Sequence, residues 1–473
     1  LQADDGIRYN WPGLEFRLLL FRSLIDPRGS QECGGQKAAP SPAQAAVVGL
    51  ARVVEAEMPE LDCLCVDLDP DAESQDEDVG REAEAIVLEV TSPVTAPGQQ
   101  ASAFQREQLV CVRGARRYVA RIDRWRGGAA TPEAAAAAVQ PGAYAVTGGA
   151  GGLGLVFCAW LARRGATRVV LLGRRVEPGA AAAAAIAAAA AAAGVDVTYA
   201  CADVADAERL RAVLGATAAR GELRGVLHCA GVTMPAPIAR QDMDRLRRVM
   251  SPKVSGSWNL HKILSGTSSS VSLFIMFSSI ASLFGVFGQA NYAVANAFMD
   301  GLARMRMHAG LPALSISWGP WNEVGMIMSA GSAVTTNLRQ TGIALLQPAN
   351  GVRCLDGIIA SADKKCKPAE LGIVEIDWSA FISHTLRPRA MLRRMRQTKA
   401  DGRLTATTRK HTLEAALGNR SEGEAHRILL KAVAGVVQVT LGIEGIVDPD
   451  MPLADAGMDS LLAVELRNAL QRE

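Results

Sequence analysis

The sequence predicts an α/β protein whose main unit is a doubly wound parallel sheet. Three stretches carry that expectation. Apolar strand-like runs alternate with helix-like segments from Ala143 to Ile376. The first run, Ala143–Val146, feeds the cluster Thr147-Gly148-Gly149-Ala150-Gly151-Gly152-Leu153-Gly154 and then a helix. A later run, Val271–Phe277, stops at Ser278-Ser279 and is followed by a helical pattern opening near Ala290. On that helix Tyr292 and Asn296 lie four apart and share a face. A hydroxyl at a strand end, opposite a phenol on a helix, is how such sheets build sites at their carboxyl edge.

At 473 residues the chain has room for two to four domains. Its 49% hydrophobic and 21% charged content is that of an ordinary globular protein, and a net charge of +2 exerts no pull towards nucleic acid or membrane. The nine cysteines form no C-x-x-C pair and mostly sit in apolar runs, such as Cys63, Cys65, Cys111 and Cys158. They read as buried thiols of a reducing, cytoplasmic compartment, with no metal site and no disulfide framework. No segment has the length and composition of a membrane span. The chain opens on Leu1 and stops inside an unfinished pattern, so it reads as a piece of a longer polypeptide, in which a targeting peptide is not visible.

In order, Leu14–Phe21 is extended, residues 26–43 form a loop, and Gln44–Glu57 is an amphipathic helix ended by Met58-Pro59. Cys63–Leu68 is a strand, Glu82–Val90 a helix, and Leu109–Val112 with Tyr118–Ile122 a hairpin. This first unit, residues 1–127, has no glycine-rich loop and is assigned a structural role. Residues 126–141 read as a linker, and the second unit spans 140–383.

Within that unit the glycines after Val146 let the backbone turn tightly and approach a pyrophosphate at a helix N-terminus. The predicted cofactor contacts are Thr147, Gly148, Gly149, Gly151, Gly152, Leu153 and Gly154. The second strand, Arg168–Leu172, ends at Gly173-Arg174-Arg175, where an acidic residue would favour NAD; the arginines Arg174 and Arg175 suit a 2′-phosphate and so NADPH. The alanine run from Ala180 to Ala193 is a surface helix without chemistry. Val195–Tyr199 is followed by Asp203 and Val204, placed to meet an adenine edge. Gly225–His228 runs into Cys229, Ala230 and Gly231, whose small size leaves room for a cofactor; His228 reads as a structural hydrogen-bonder. Asp242–Leu264 reads as one long helix containing Lys253. Ala313–Trp318 leads into a Gly- and Met-containing lid, Gly319–Met326, and Leu371–Ile376 is the last strand. Residues 384–422 are a solvated basic linker without aromatic residues to stack on bases. From 423 to 473 comes a helical unit in which Asp459 caps the final helix and leaves Ser460 exposed.

Thr147 to Gly154, with Ser279, Tyr292 and Asn296, resembles the short-chain dehydrogenase/reductase superfamily. With VLHCAGV at Val226–Val232, MSPKVSGSWNLH at Met250–His261, FSSIASLFGVFGQANYAVANAFMDGLA and WGPWNEVGM, the chain is similar to the ketoreductase domain of a modular polyketide synthase. The likeness runs from about residue 40 to the end. It implies a Rossmann-like catalytic subdomain, braced by a degenerate Rossmann-like structural subdomain that here lacks its N-terminal portion. DAGMDSLLAVELRNAL resembles the attachment site of an acyl carrier domain, cut off before its last helices.

The resemblance implies the following roles. Ordinary members carry Tyr-x-x-x-Lys; polyketide ketoreductases exchange the lysine and asparagine, which pairs Lys253 with Asn296. Tyr292 would protonate the substrate carbonyl oxygen as hydride arrives from NADPH. Lys253 would lower the phenol pKa and contact the cofactor ribose, Ser279 would hydrogen-bond the carbonyl, and Asn296 would anchor a water relay. Ser460 would carry 4′-phosphopantetheine as a tether for the β-ketoacyl chain. The partners implied are the carrier domain and other synthase domains of the same polypeptide, with no nucleic acid and no membrane. A fatty acid synthase reductase and a non-catalytic NADPH-binding scaffold are the alternatives. The Leu-Asp-Asp of one stereochemical class is replaced by Thr233-Met234-Pro235, and the tryptophan of the other class by Phe284. The reading leans to the class without the Asp pair.

Overall fold

The computed structural model describes residues 16–22, 39–59, 61–68, 76–91, 107–113, 116–125, 139–266, 271–326, 338–339, 341–361, 368–384, 390–396 and 421–441, with a few single positions beyond. The N-terminal unit contains strand β1 (Phe16–Arg22), helix α1 (Pro42–Glu57), β2 (Asp62–Leu68), α2 (Asp76–Thr91), β3 (Leu109–Arg113) and β4 (Arg116–Val119). Its strands lie in the order β1-β2-β3-β4, parallel up to β3 and antiparallel at β4. The predicted hairpin is therefore present, with its second strand at Arg116–Val119 instead of Tyr118–Ile122. Helix α1 ends where expected, at Glu57, but starts two residues before Gln44: Ser41 caps it by accepting from the Gln44 N–H, and Pro42 fits its first turn.

The second unit runs β5 (Ala143–Thr147), α3 (Gly152–Arg163), β6 (Arg168–Gly173), α4 (Ala180–Ala193), β7 (Asp196–Cys201), α5 (Ala207–Ala219) and β8 (Leu223–His228). It continues through α6 (Met243–Met250), α7 (Gly256–Ser265), β9 (Leu273–Ser279), α8 (Ile280–Phe284), α9 (Ala290–His308), β10 (Leu314–Trp318), β11 (Ile343–Ala344), α10 (Pro348–Ala360), β12 (Glu370–Ile373), β13 (Glu375–Ile376) and α11 (Trp378–His384). Seven strands pair in the order β12-β10-β9-β8-β5-β6-β7, every neighbour parallel. The winding reverses between β5 and β8, and a doubly wound sheet opens its binding crevice at that point. Alternate residues face opposite layers. Tyr144 and Val146 pack with Phe157, Trp160 and Phe277 on one side, while Ala145 packs with Leu210, Leu260 and Phe274 on the other. Helix α4 buries none of its residues, as a poly-alanine surface helix should.

The two units meet through helices. Gly49 of α1 comes so close to α9 that a Cβ there would stand 2.7 Å from the Ala297 Cβ; Gly301 of α9 would stand equally close to Ala45. Small residues on both helices let the backbones approach.

One expectation is refined and two are corrected. The long helix expected across Asp242–Leu264 is present without interruption, its backbone right-handed helical at Met250, Ser251, Ser255 and Gly256, but Ser251–Ser255 form a π turn between its segments α6 and α7. Pro252 lacks an N–H and cannot continue the regular ladder, so the turn widens there. The last strand divides. Only Glu370–Ile373 joins the main sheet; Glu375–Ile376 turns away to pair antiparallel with β11. Finally, residues 390–396 are not solvated linker, since Ala390, Met391, Leu392 and Met395 are buried. Met391 and Leu392 pack with Ile280, Phe284 and Ile382, and the Met391 carbonyl accepts from the Ile122 N–H. The linker expected across 126–138 lies outside the described residues.

Candidate active site

The sheet delivers its reactive side chains to one edge. Ser279 closes β9 and caps α8, its Oγ accepting from the Ala281 N–H at 3.2 Å. The hydroxyl hydrogen is then left to donate elsewhere. Opposite it, Tyr292 and Asn296 occupy successive turns of α9, both buried. The Asn296 Nδ2 donates back to the Tyr292 carbonyl at 2.7 Å, while its Oδ1 is buried without a hydrogen-bond partner among the described residues. A buried oxygen left in that state suits a water.

Lys253 comes from the π turn. The widened turn sends its side chain inward, where Nζ donates to the Phe277 carbonyl at 2.9 Å and lies 5.3 Å from the centre of the Tyr292 ring. Gly231 makes room, because a Cβ there would sit 2.8 Å from the Lys253 Cε. Loss of solvation lowers the Lys253 pKa to about 8, against the opposing pull of Cys229 and Asp300. Burial likewise pushes the Tyr292 phenol up to about 12, while the neighbouring Asn296 and Ser279 side chains draw it down. The phenol is thus protonated at neutral pH and flanked by the groups that would stabilise its anion. Val232, Met234, Met250 and Val286 form an apolar wall around the ring.

The glycine loop lies across the switch point. Gly148 has φ +65°, and a Cβ there would press within 2.9 Å of the Ala230 Cα, so the loops after β5 and β8 touch. Helix α3 starts after Gly151, which offers no side-chain cap, and its first amides are open to an anion. Gly149, Gly152, Leu153 and Gly154 continue this turn into the helix. A Cβ on Gly152 would meet Val324 and the Gly325 nitrogen at 3.1 Å, which puts the root of the expected lid against the helix start. The residues fit a nicotinamide dinucleotide here.

Thr147 is placed differently from the expectation of a direct cofactor contact. Its buried Oγ1 accepts from the Ala230 N–H and shares a 2.7 Å hydrogen bond with the His228 Nδ1, so it ties the two loops together. His228 is fully buried, and burial with the nearby Lys253 lowers its pKa to about 3. A neutral, tied imidazole is structural, as its strand-end position predicts. Arg174 and Arg175 are exposed at the end of β6, with no ion pair among the described residues. The Asp203 Oδ1 accepts from the Ala205 N–H, and the Val204 carbonyl accepts from the Asn259 side chain, which shapes the corner after β7. Ser460 lies outside the described residues.

Sequence reasoning missed a buried carboxylate behind the site. Asp300 accepts from Ser282 at 2.7 Å and Ser315 at 2.6 Å, so one side chain joins α9, α8 and β10. Its position one turn beyond Asn296, on the same face as Tyr292, was legible in the spacing.

A seven-stranded parallel sheet with this glycine loop and this Ser-Tyr-Lys-Asn set defines a ketoreductase of the short-chain reductase type. Residues 142–323 match the KR domain family, and residues 431–473 match the phosphopantetheine attachment site family. The spectinabilin polyketide synthase system protein NorA' of Streptomyces orinoci is 32% identical over 95% of this chain and 12% of its own length. Polyketide synthase GfsE of Streptomyces halstedii is 37% identical over 69% of this chain and 8% of its own length. The chain therefore spans a small part of these relatives. Among solved structures, an A1-type ketoreductase is 28% identical with a TM-score of 0.66, covering 80% of this chain and 73% of that one. A set of A-type ketoreductases from modular polyketide synthases gives 29% and 0.65. The chain belongs to the polyketide synthase ketoreductases and carries a phosphopantetheine attachment domain after the reductase.

Proposed function

We propose that this chain reduces the β-carbonyl of a carrier-tethered β-ketoacyl thioester to a hydroxyl during polyketide chain extension, with NADPH as reductant. The observation that carries the reading is the convergence of Ser279, Tyr292, Lys253 and Asn296 beside the glycine loop. The cofactor, when bound along residues 148–154, supplies the hydride. Ser279 donates a hydrogen bond to the carbonyl oxygen and orients it. Tyr292 passes its phenolic proton to that oxygen, and the phenolate formed is held by the Lys253 ammonium. A water at the open Asn296 Oδ1 returns a proton to the phenol. One carbon–hydrogen and one oxygen–hydrogen bond form, and the tyrosine is restored.

Phosphopantetheine on Ser460 would deliver the acyl chain, raising its effective concentration at Tyr292. The cytosol is the compartment that matches a soluble tethered substrate. A scaffold that binds cofactor without turnover would not need all four catalytic positions filled.

The test is NADPH consumption by the purified chain with a β-ketoacyl thioester mimic; cofactor binding without consumption would leave only the scaffold. Cofactor choice is checked separately. Replacing Arg174 and Arg175 by alanine is expected to raise the KM for NADPH about tenfold or more and leave the KM for NADH nearly unchanged, since charged contacts to a phosphate are worth about 1.5–3 kcal/mol. Equal effects on both cofactors would remove the arginines from 2′-phosphate recognition.

A further inference from the structure

Glu57 is the last residue of α1, in the N-terminal unit, yet its carboxylate is buried inside the catalytic one. A negative charge at a helix C-terminus opposes the helix dipole, so α1 gains nothing from it there. What the carboxylate does is hold two loops. Its Oε2 accepts from the Ile238 N–H at 2.7 Å, and its Oε1 accepts from the Gly288 N–H at 2.9 Å. The first loop follows Gly231 and contains Thr233-Met234-Pro235; the second lies between Phe284 and the helix that carries Tyr292.

These loops also hold each other. The Ala236 N–H donates to the Gly288 carbonyl at 2.8 Å, and Asn291 donates to the Met234 carbonyl at 2.9 Å. Together they bring Met234 and Val286 against the Tyr292 ring, where an acyl chain must lie for its carbonyl to reach the phenol. The remainder of α1 supports the same contact. Val53 packs with Ala290, Ala293 and Ile238, and Arg52 donates to the Ser282 carbonyl. Burial raises the Glu57 pKa against the pull of the two amides, so the fold keeps a costly group where a glutamine would satisfy only one of them.

We propose that Glu57 is a positioning residue for the acyl substrate: a carboxylate from the bracing unit that sets the relative placement of the 232–238 and 285–289 loops, and with it the face of the β-carbonyl presented to hydride. The proposal rests on the ketoreductase reading.

The experiment is Glu57→Gln in the full chain, assayed with NADPH and a racemic α-methyl-β-ketoacyl thioester. The substitution keeps the size but turns a donor towards one amide. The KM for the thioester is expected to rise about tenfold, the loss of one charged hydrogen bond. The diastereomer ratio of the product should fall, while the Kd for NADPH stays unchanged. Glu57→Asp, too short to reach both loops, should lie between. A purely bracing role would lower Tm and the active fraction but leave KM and the product ratio alone, and that result would overturn the proposal. If Glu57→Gln does not fold, amide hydrogen exchange on the unaltered protein decides. Slow exchange at Ile238 and Gly288 upholds the clamp, and fast exchange at either removes it. Absence of any NADPH-dependent turnover in the unaltered protein would instead overturn the function, whatever the exchange data show.

Discussion

Tyr292→Phe is expected to reduce β-ketoacyl turnover by about three orders of magnitude, because a positioned general acid contributes 10²–10⁴-fold. The substitution removes one oxygen and leaves the ring between Met234, Met250 and Val286, so the fold should not change. The glycine loop that would hold the pyrophosphate is untouched by the change, so cofactor affinity is expected to persist. Calorimetric binding of NADPH should therefore match that of the unaltered protein while kcat collapses. The interpretation depends on the phenol being the proton source, and a pKa pushed up to about 12 keeps that proton in place at every working pH. Retained turnover in Tyr292→Phe would transfer the acid role to another group.

Lys253→Met should lose about two orders of magnitude. The ammonium lies 5.3 Å from the Tyr292 ring centre, and at an effective dielectric of about 20 that distance corresponds to about 3 kcal/mol of stabilisation for a phenolate. The pH profile tests the same assignment independently. With its pKa lowered to about 8, Lys253 loses its charge within the working range. The kcat/KM for reduction is expected to fall as pH rises through about 8, and Lys253→Met should lack that inflection. Stability moves in the opposite sense. The unfolded lysine holds its proton up to its ordinary 10.5 and the folded one only to about 8, so the native state binds fewer protons between those values. Stability rises with pH across that window, and fluorescence-monitored unfolding at several pH values would show the slope.

How much of this was legible in the sequence differs element by element. The glycine loop announced itself because a strand, a turn that only small residues can make, and a helix occur within a dozen positions. Tyr292 and Asn296 were legible because four residues make one helical turn. Lys253 was not legible from spacing, since its approach depends on the π turn at Ser251–Ser255 and on the Phe277 carbonyl, 24 residues away. Pro252 marked the irregularity without revealing where the side chain would go; only the family resemblance assigned it. Glu57 was illegible altogether: its partners are backbone amides 181 and 231 residues distant, and a backbone N–H leaves no trace in a sequence. The division of the last strand at Val374 was hidden for a similar reason, because Glu375–Ile376 pairs with β11, a two-residue strand too short to carry a pattern. Residues 390–396 looked solvated because Arg393, Arg394 and Arg396 sit within a longer basic run, yet Met391, Leu392 and Met395 turn inward.

The central claim is that hydride passes from NADPH to a β-ketoacyl thioester at the edge built by Ser279, Tyr292, Lys253 and Asn296. The most direct measurement is mass analysis of the product after incubation with NADPH deuterated at its transferable position. The account predicts a β-hydroxyacyl thioester carrying one deuterium on its β-carbon, formed by the unaltered protein and not by Tyr292→Phe. A thioester recovered unchanged beside bound cofactor, or label appearing with Tyr292→Phe at an undiminished rate, would contradict it.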